Sequence, residues 1–196
     1  MDEMKSALER AMERADSLGK ASEEDRRKWK YIPEGEKLGV KCLEGESDIT
    51  SELSKYSGEE RDYISKGAQQ VLIKNIDLPR TDIVKAKNKR AMEAIKEIKR
   101  DKVGVENVYT KIRRVFTHYE QEGEQQRKQA YEEVKRVVEA KLIQLLQQQK
   151  GQAMPMKIDV EKQPQFQQEW RRVLSQLDSQ YLNLLDEYKQ EIEQIK

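Results

Sequence analysis

One stretch, residues 105–150, constrains this chain more than any other. It contains no proline and a single interior glycine, Gly123. Its apolar residues fall at Val105, Val108, Tyr109, Ile112, Val115, Phe116 and Tyr119, and resume at Ala130, Tyr131, Val134, Val137, Val138, Leu142, Leu145 and Leu146. Steps of three and four place them along one face of a helix. At 1.5 Å per residue that helix is about 70 Å long, beyond the diameter of a compact small domain. Whatever else the chain forms has to pack along it.

A second long helix is expected over 165–196, after a connection at 151–163 that holds Met154-Pro155-Met156 and the alternating Ile158-Asp159-Val160. Pro164 suits the first turn of that helix, where its missing N–H costs nothing. Trp170, Leu174, Leu177, Tyr181, Leu184 and Tyr188 then recur in alternating steps of four and three. Such a heptad seam belongs to a helix that lies against another helix. The short connection makes 105–150 of the same chain the expected antiparallel partner, with pairing between two chains as the alternative. A homodimer is compatible with either. Residues 120–129 carry no apolar side chain, and Gly123 costs about 1 kcal/mol relative to alanine inside a helix. A kink or break is expected there.

The first hundred residues read as shorter helices. Residues 2–18 put Met4, Leu8, Ala11, Met12, Ala15 and Leu18 on one face, with Gly19 as a stop. Ser22 reads as an N-cap followed by the acidic turn Glu23, Glu24 and Asp25. The helix it opens is expected to bury Trp29 and to stop at Pro33. Residues 33–47, with Gly35, Gly39 and Gly45, read as loop or as a short weak helix around 37–43. They lack the Gly-Lys-Ser/Thr end of a phosphate loop. A short helix over 48–56 carries Ile49, Leu53 and Tyr56. Ser57 and Glu60 match a capping box for a helix running to about residue 74. After Leu78-Pro79, another helix over 81–101 turns Ile83, Val84, Ala91, Ile95 and Ile98 inward.

Composition excludes several functions. Charged residues make up 38% of the 196-residue chain and hydrophobic ones 36%. The mean hydropathy is −1.01, which suits helices that each bury one stripe and keep a wide solvated face. A net charge of +1 supplies no global field for nucleic acid. Cys42 is the only cysteine and His118 the only histidine, so neither an intrachain disulfide nor a histidine-rich metal site can form. The di-iron bundle pattern needs Glu-x-x-His, and Val115 stands three residues before the histidine. Glu122 lies one turn after His118, which reads as a surface pair. A Cys42–His118 couple has no local support. No window approaches a membrane span, and the charged first residues do not form a signal peptide. A cytoplasmic protein is the expectation.

One local asymmetry remains. Between 85 and 102, eight basic residues face three acidic ones, and Lys111, Arg113 and Arg114 follow. Lys89, Arg90, Lys96, Lys99 and Arg100 are candidate phosphate contacts on that helix.

These residues predict an all-α fold, with short N-terminal helices over 1–103 and a long antiparallel hairpin, partly coiled coil, over 104–196. The expected function is that of a non-catalytic helical interaction or structural protein. It would use a protein partner or a second copy, with no cofactor and no metal. The alternative is a nucleic-acid-associated accessory protein working through 85–114.

Overall fold

A computed structural model describes residues 22–150 and 159–195. The helix expected over 2–18 and most of the connection between the long helices, including Met154-Pro155-Met156 and Ile158, lie outside the described residues. The fold is all-α. Among the described residues seven α-helices follow in order: α1 Glu23–Glu44, α2 Ile49–Leu53, α3 Gly58–Lys74, α4 Asp82–Ile98, α5 Lys102–Glu120, α6 Glu122–Lys150 and α7 Pro164–Gln194. A 3-10 turn, Val160–Lys162, precedes α7. Among the described residues no helix is long and apolar enough to cross a membrane.

Helix α1 corrects the expectation for 23–47. It starts as expected, with the Ser22 hydroxyl accepting from the Asp25 N–H at 3.0 Å. It then runs through Pro33 to Glu44. Trp29 is 70% exposed, not buried. A proline inside a helix removes one hydrogen bond and crowds the preceding turn. That loss is outweighed here by packing against α3. A Cβ added at Gly35 would overlap the Ile64 carbonyl, and one at Gly67 would overlap the Ile32 carbonyl. At Gly39 it would stand 2.9 Å from the Ala68 carbonyl oxygen. The glycines that read as loop are therefore the surface through which two helix backbones touch. The true stop is Gly45, at φ 81°, where the Gly45 and Glu46 amides return to the Cys42 and Lys41 carbonyls.

The capping box at α3 does not form. Ser57 makes no side-chain cap bond. The Glu60 carboxylate instead accepts the Tyr31 hydroxyl of α1 at 2.5 Å. Asn88, a buried polar residue on α4, fastens the α3–α4 connection. Its amide donates to the Asp77 carbonyl at 2.6 Å and its carbonyl accepts the Asp77 N–H at 3.0 Å.

The long hairpin pairs within the chain. His118 meets Tyr181, Lys111 meets Glu191, Tyr131 meets Phe166 and Trp170, and Lys135 meets Glu161. One number rises as its partner falls, the register of two antiparallel helices. The expected break sits at Gln121, with φ −95° and ψ −83°, and it separates α5 from α6. The polar run on either side has no apolar stripe to hold a straight helix against α7.

Two cores result. The larger joins α1 through α5 to the last three turns of α7, with Ile64, Leu72, Ile95, Ile112, Leu185 and Ile192 almost wholly buried. It is continuous across residues 103–104. The smaller lies beyond the break, where Val134, Val138, Val160 and Phe166 close between α6 and the start of α7.

Gly35→Ala forces α1 and α3 apart and is expected to lower stability by about 3 kcal/mol. Gly123→Ala meets the Tyr181 hydroxyl at 3.0 Å and its Cζ at 3.4 Å and the Arg127 guanidinium at 3.1 Å, all side-chain tips and none of them backbone. Its effect should stay under about 1 kcal/mol, because alanine is also the better helix former. Urea unfolding followed by circular dichroism measures both. Equal effects would contradict the close contact.

Candidate functional site

The break between α5 and α6 opens a cleft of about 770 Å3, walled by the α3–α4 connection, both segments of the long arm and α7. Its charged residues are placed by helix periodicity. Arg80 follows Pro79 in the connection, and Asp178 is carried inward on α7 in the same seven-residue rhythm as Leu185 and Ile192. The Arg80 Nη2 and Nε donate to Asp178 Oδ2 at 3.0 and 3.3 Å. The Asp178 side chain is 7% exposed and that of Arg80 43%, so the carboxylate is sealed while the guanidinium keeps water. The other carboxylate oxygen, Oδ1, is buried and accepts no hydrogen bond.

The remaining cations of the cleft are committed to neighbours. Lys85 of α4 pairs with Glu120 of α5 at 2.7 Å, and that bond raises the lysine's pKa. Lys128 pairs with Glu124 at 2.6 Å. Arg127 lies 4.0 Å over the Tyr119 ring and donates to the Tyr119 carbonyl at 3.1 Å. Burial and the charge of Asp178 push the Tyr119 phenol above its ordinary range, against the pull of Arg127 and Arg80. Tyr131 and Trp170 stand edge to face at 5.2 Å on the far wall. A second, more apolar hollow of about 550 Å3 shares Pro79, Lys85 and Glu120 with the cleft. The Lys85–Glu120 pair is the partition between them.

The basic helix α4 is less available than its sequence suggests. Lys99 is buried, and its ammonium donates to the Glu193 carbonyl at 3.2 Å and to the Ile195 carbonyl, capping the end of α7. Burial lowers its pKa, with Glu193 opposing. The Arg90 Nη1 donates to the Leu43 carbonyl at 3.0 Å and serves the end of α1. Lys96 pairs with Glu106 at 2.8 Å, and Arg113 joins the same carboxylate group. Lys89 and Arg100 face solvent. Of the five candidate phosphate contacts, three are thus engaged inside the molecule, by partners that are distant in sequence.

The six seam residues are placed along α7 but not at its most buried positions. Trp170, Leu174, Leu177, Tyr181 and Tyr188 are half-buried, and Leu184 is 40% exposed. The fully enclosed positions are Phe166, Asp178, Leu185 and Ile192. At about 100° per residue, the inward face turns from Phe166 and Trp170 toward Leu185 and Ile192. The cause is a change of neighbours. The start of α7 packs on α6 and the 3-10 turn, while its end packs on α5 and α3 together.

His118 and Cys42 sit in unrelated surroundings. The His118 Nδ1 is 2.9 Å from the Tyr181 hydroxyl. Cys42 is buried in the main core, and burial, with Asp48 and Glu52 adding to it, raises the thiol to about 11. A protonated, enclosed thiol is a poor nucleophile.

Two outcomes follow from these placements. Arg80→Met strands the sealed Asp178 carboxylate, whereas Asp178→Asn leaves a guanidinium that water still reaches. The first should cost more stability than the second, by about 1–2 kcal/mol, in parallel urea titrations. The raised Cys42 pKa stabilises the native state fully below about pH 9, and the contribution fades as pH climbs toward about 11. At pH 8 a thiol reagent should label Cys42 only after denaturant is added. Rapid labelling of native protein would contradict its burial.

No curated protein and no solved structure matches the chain. A family profile does, over residues 50–194, a span that contains the whole cleft and leaves α1 outside. The chain belongs to the family of unknown function DUF6657.

Proposed function

We propose that this protein is a non-catalytic helical interaction protein that engages a protein partner or a second copy along the outer side of its hairpin. The observation that carries the reading is the apolar edge left on α7 after intrachain pairing. Leu184 is 40% exposed, and Leu177 and Tyr188, close to the same helical face, are only half-buried. A seam that one partner satisfies in part leaves room for another beside it. The chemistry of the titratable groups agrees with a binding role. The sole thiol is held protonated, and the sole histidine rests against Tyr181. The alternative, nucleic-acid association through 85–114, retains Lys89 and Arg100 as solvent-facing cations. It is weakened by the internal bonds of Arg90, Lys96 and Lys99.

Size-exclusion chromatography with light scattering, read at 260 and 280 nm, tests the self-association form directly. The expected result is a protein-only peak at a multiple of 23.1 kDa. Leu184→Glu should return it to a single-chain mass without loss of helicity, because that side chain is already 40% exposed. A wild-type chain that stays single at about 100 µM would overturn self-association. A peak rich in 260 nm absorbance, removed by nuclease and salt, would favour the alternative.

A further inference from the structure

We infer that the cleft at the α5–α6 break is a binding site for an organic cation: an ammonium or guanidinium head on a slender apolar stem. The inference rests on the reading of the chain as a binding protein and specifies what one of its surfaces takes. Among the described residues, the acidic side of the cleft holds acceptors without a partner. Arg80, Lys85, Arg127 and Lys128 are each bonded to a neighbour. On the acidic side, Asp178 is sealed at the wall of the cleft with Oδ1 accepting nothing. Glu132, also on the wall, makes no ion pair among the described residues. A cationic donor finds the exposed Glu132 carboxylate unpaired, and the buried Asp178 oxygen gains the most from a hydrogen bond once a ligand displaces the side chains that cover it.

The aromatic wall fits the same chemistry. Tyr131 and Trp170 stand at 89° to one another, 5.2 Å apart, and line the cleft together with Tyr119. Ring faces attract a cation through their quadrupole, and rings with carboxylates beside them form the usual surroundings of a bound ammonium or guanidinium. Arg127 over the Tyr119 ring is an internal instance in the same cleft. A volume of about 770 Å3 holds a polyamine or one basic side chain of a partner with room to spare. A free polyamine and a partner's lysine or arginine share this chemistry, and the test separates them.

Trp170 supplies the signal. The chain has two tryptophans, and Trp29→Phe removes the other at an exposed position. In that background, spermidine and an arginine-rich peptide are titrated separately, with fluorescence and calorimetry as readouts. The expected result is saturable binding of at least one probe. Glu132→Gln should weaken it about fivefold, as for a partly exposed ion pair. Asp178→Asn should weaken it by about tenfold, and thermal melts verify that this variant is folded. Binding of spermidine assigns a free polyamine; binding of the peptide alone assigns a partner's basic side chain. No saturable signal from either probe up to about 10 mM overturns the inference, as does binding indifferent to both substitutions. The chromatography described above is independent of this result. A self-associating chain that takes neither probe sinks the cation site alone, and a single chain that takes one sinks only self-association.

Discussion

Leu185 and Ile192 have no exposed surface, and the core of the short helices closes only around them. Each fully buried side chain of this size contributes roughly 1.5–3 kcal/mol. They come from α7, yet they close on α3 and α5, which precede it by many residues. Helix α7 is thus the member on which the rest depends. Its end completes the large core with α3 and α5, and its start completes the small core with α6. A helix that must serve two different neighbours cannot keep one face inward along its whole length. The turning of its buried stripe is the geometric consequence.

The break at Gln121 follows from the same double duty. Polar residues 120–129 leave the long arm without an apolar grip where α7 changes partners. The arm bends there, and the bend leaves a cleft instead of a packed seam. Charged residues that would be costly inside a continuous core line this gap, most of them in pairs. Asp178 is the exception in its depth. It takes a position that the helix rhythm would assign to a leucine, and it is tolerated because Arg80 reaches it from the α3–α4 connection. The cleft, the buried carboxylate and the arginine are one arrangement.

Much of this was readable beforehand. The all-α class, the long hairpin, its antiparallel register and the break near Gly123 follow from periodicity and from the absence of apolar residues at 120–129. Local signals failed where a distant element outweighed them. Pro33, Gly35 and Gly39 read as loop by their own preferences, and only the backbone of α3 makes them helix. Ser57 and Glu60 matched a capping box, and only Tyr31 draws Glu60 away. Of the candidate site, the basic character of 85–102 was plain, but the engagement of its cations by Glu106, the Leu43 carbonyl and the end of α7 was not. Asp178 and Arg80 passed unnoticed. One charged residue in a heptad signals a buried pair only when its partner is known, and that partner is almost a hundred residues away.

The sequence by itself determined which segments are helical over long distances and that they pack as a hairpin, because apolar spacing acts within a few turns and needs no further information. It also bounded the chemistry, since one cysteine and one histidine exclude whole families of sites. Tertiary structure alone decided which stripe of α7 is enclosed, which cations are spent inside the molecule, and where a buried carboxylate oxygen is left without a hydrogen bond. Those properties belong to pairs of residues that the chain separates widely. Burial and charge pairing are fixed by the contacts between helices, and the pattern within a single helix does not contain them.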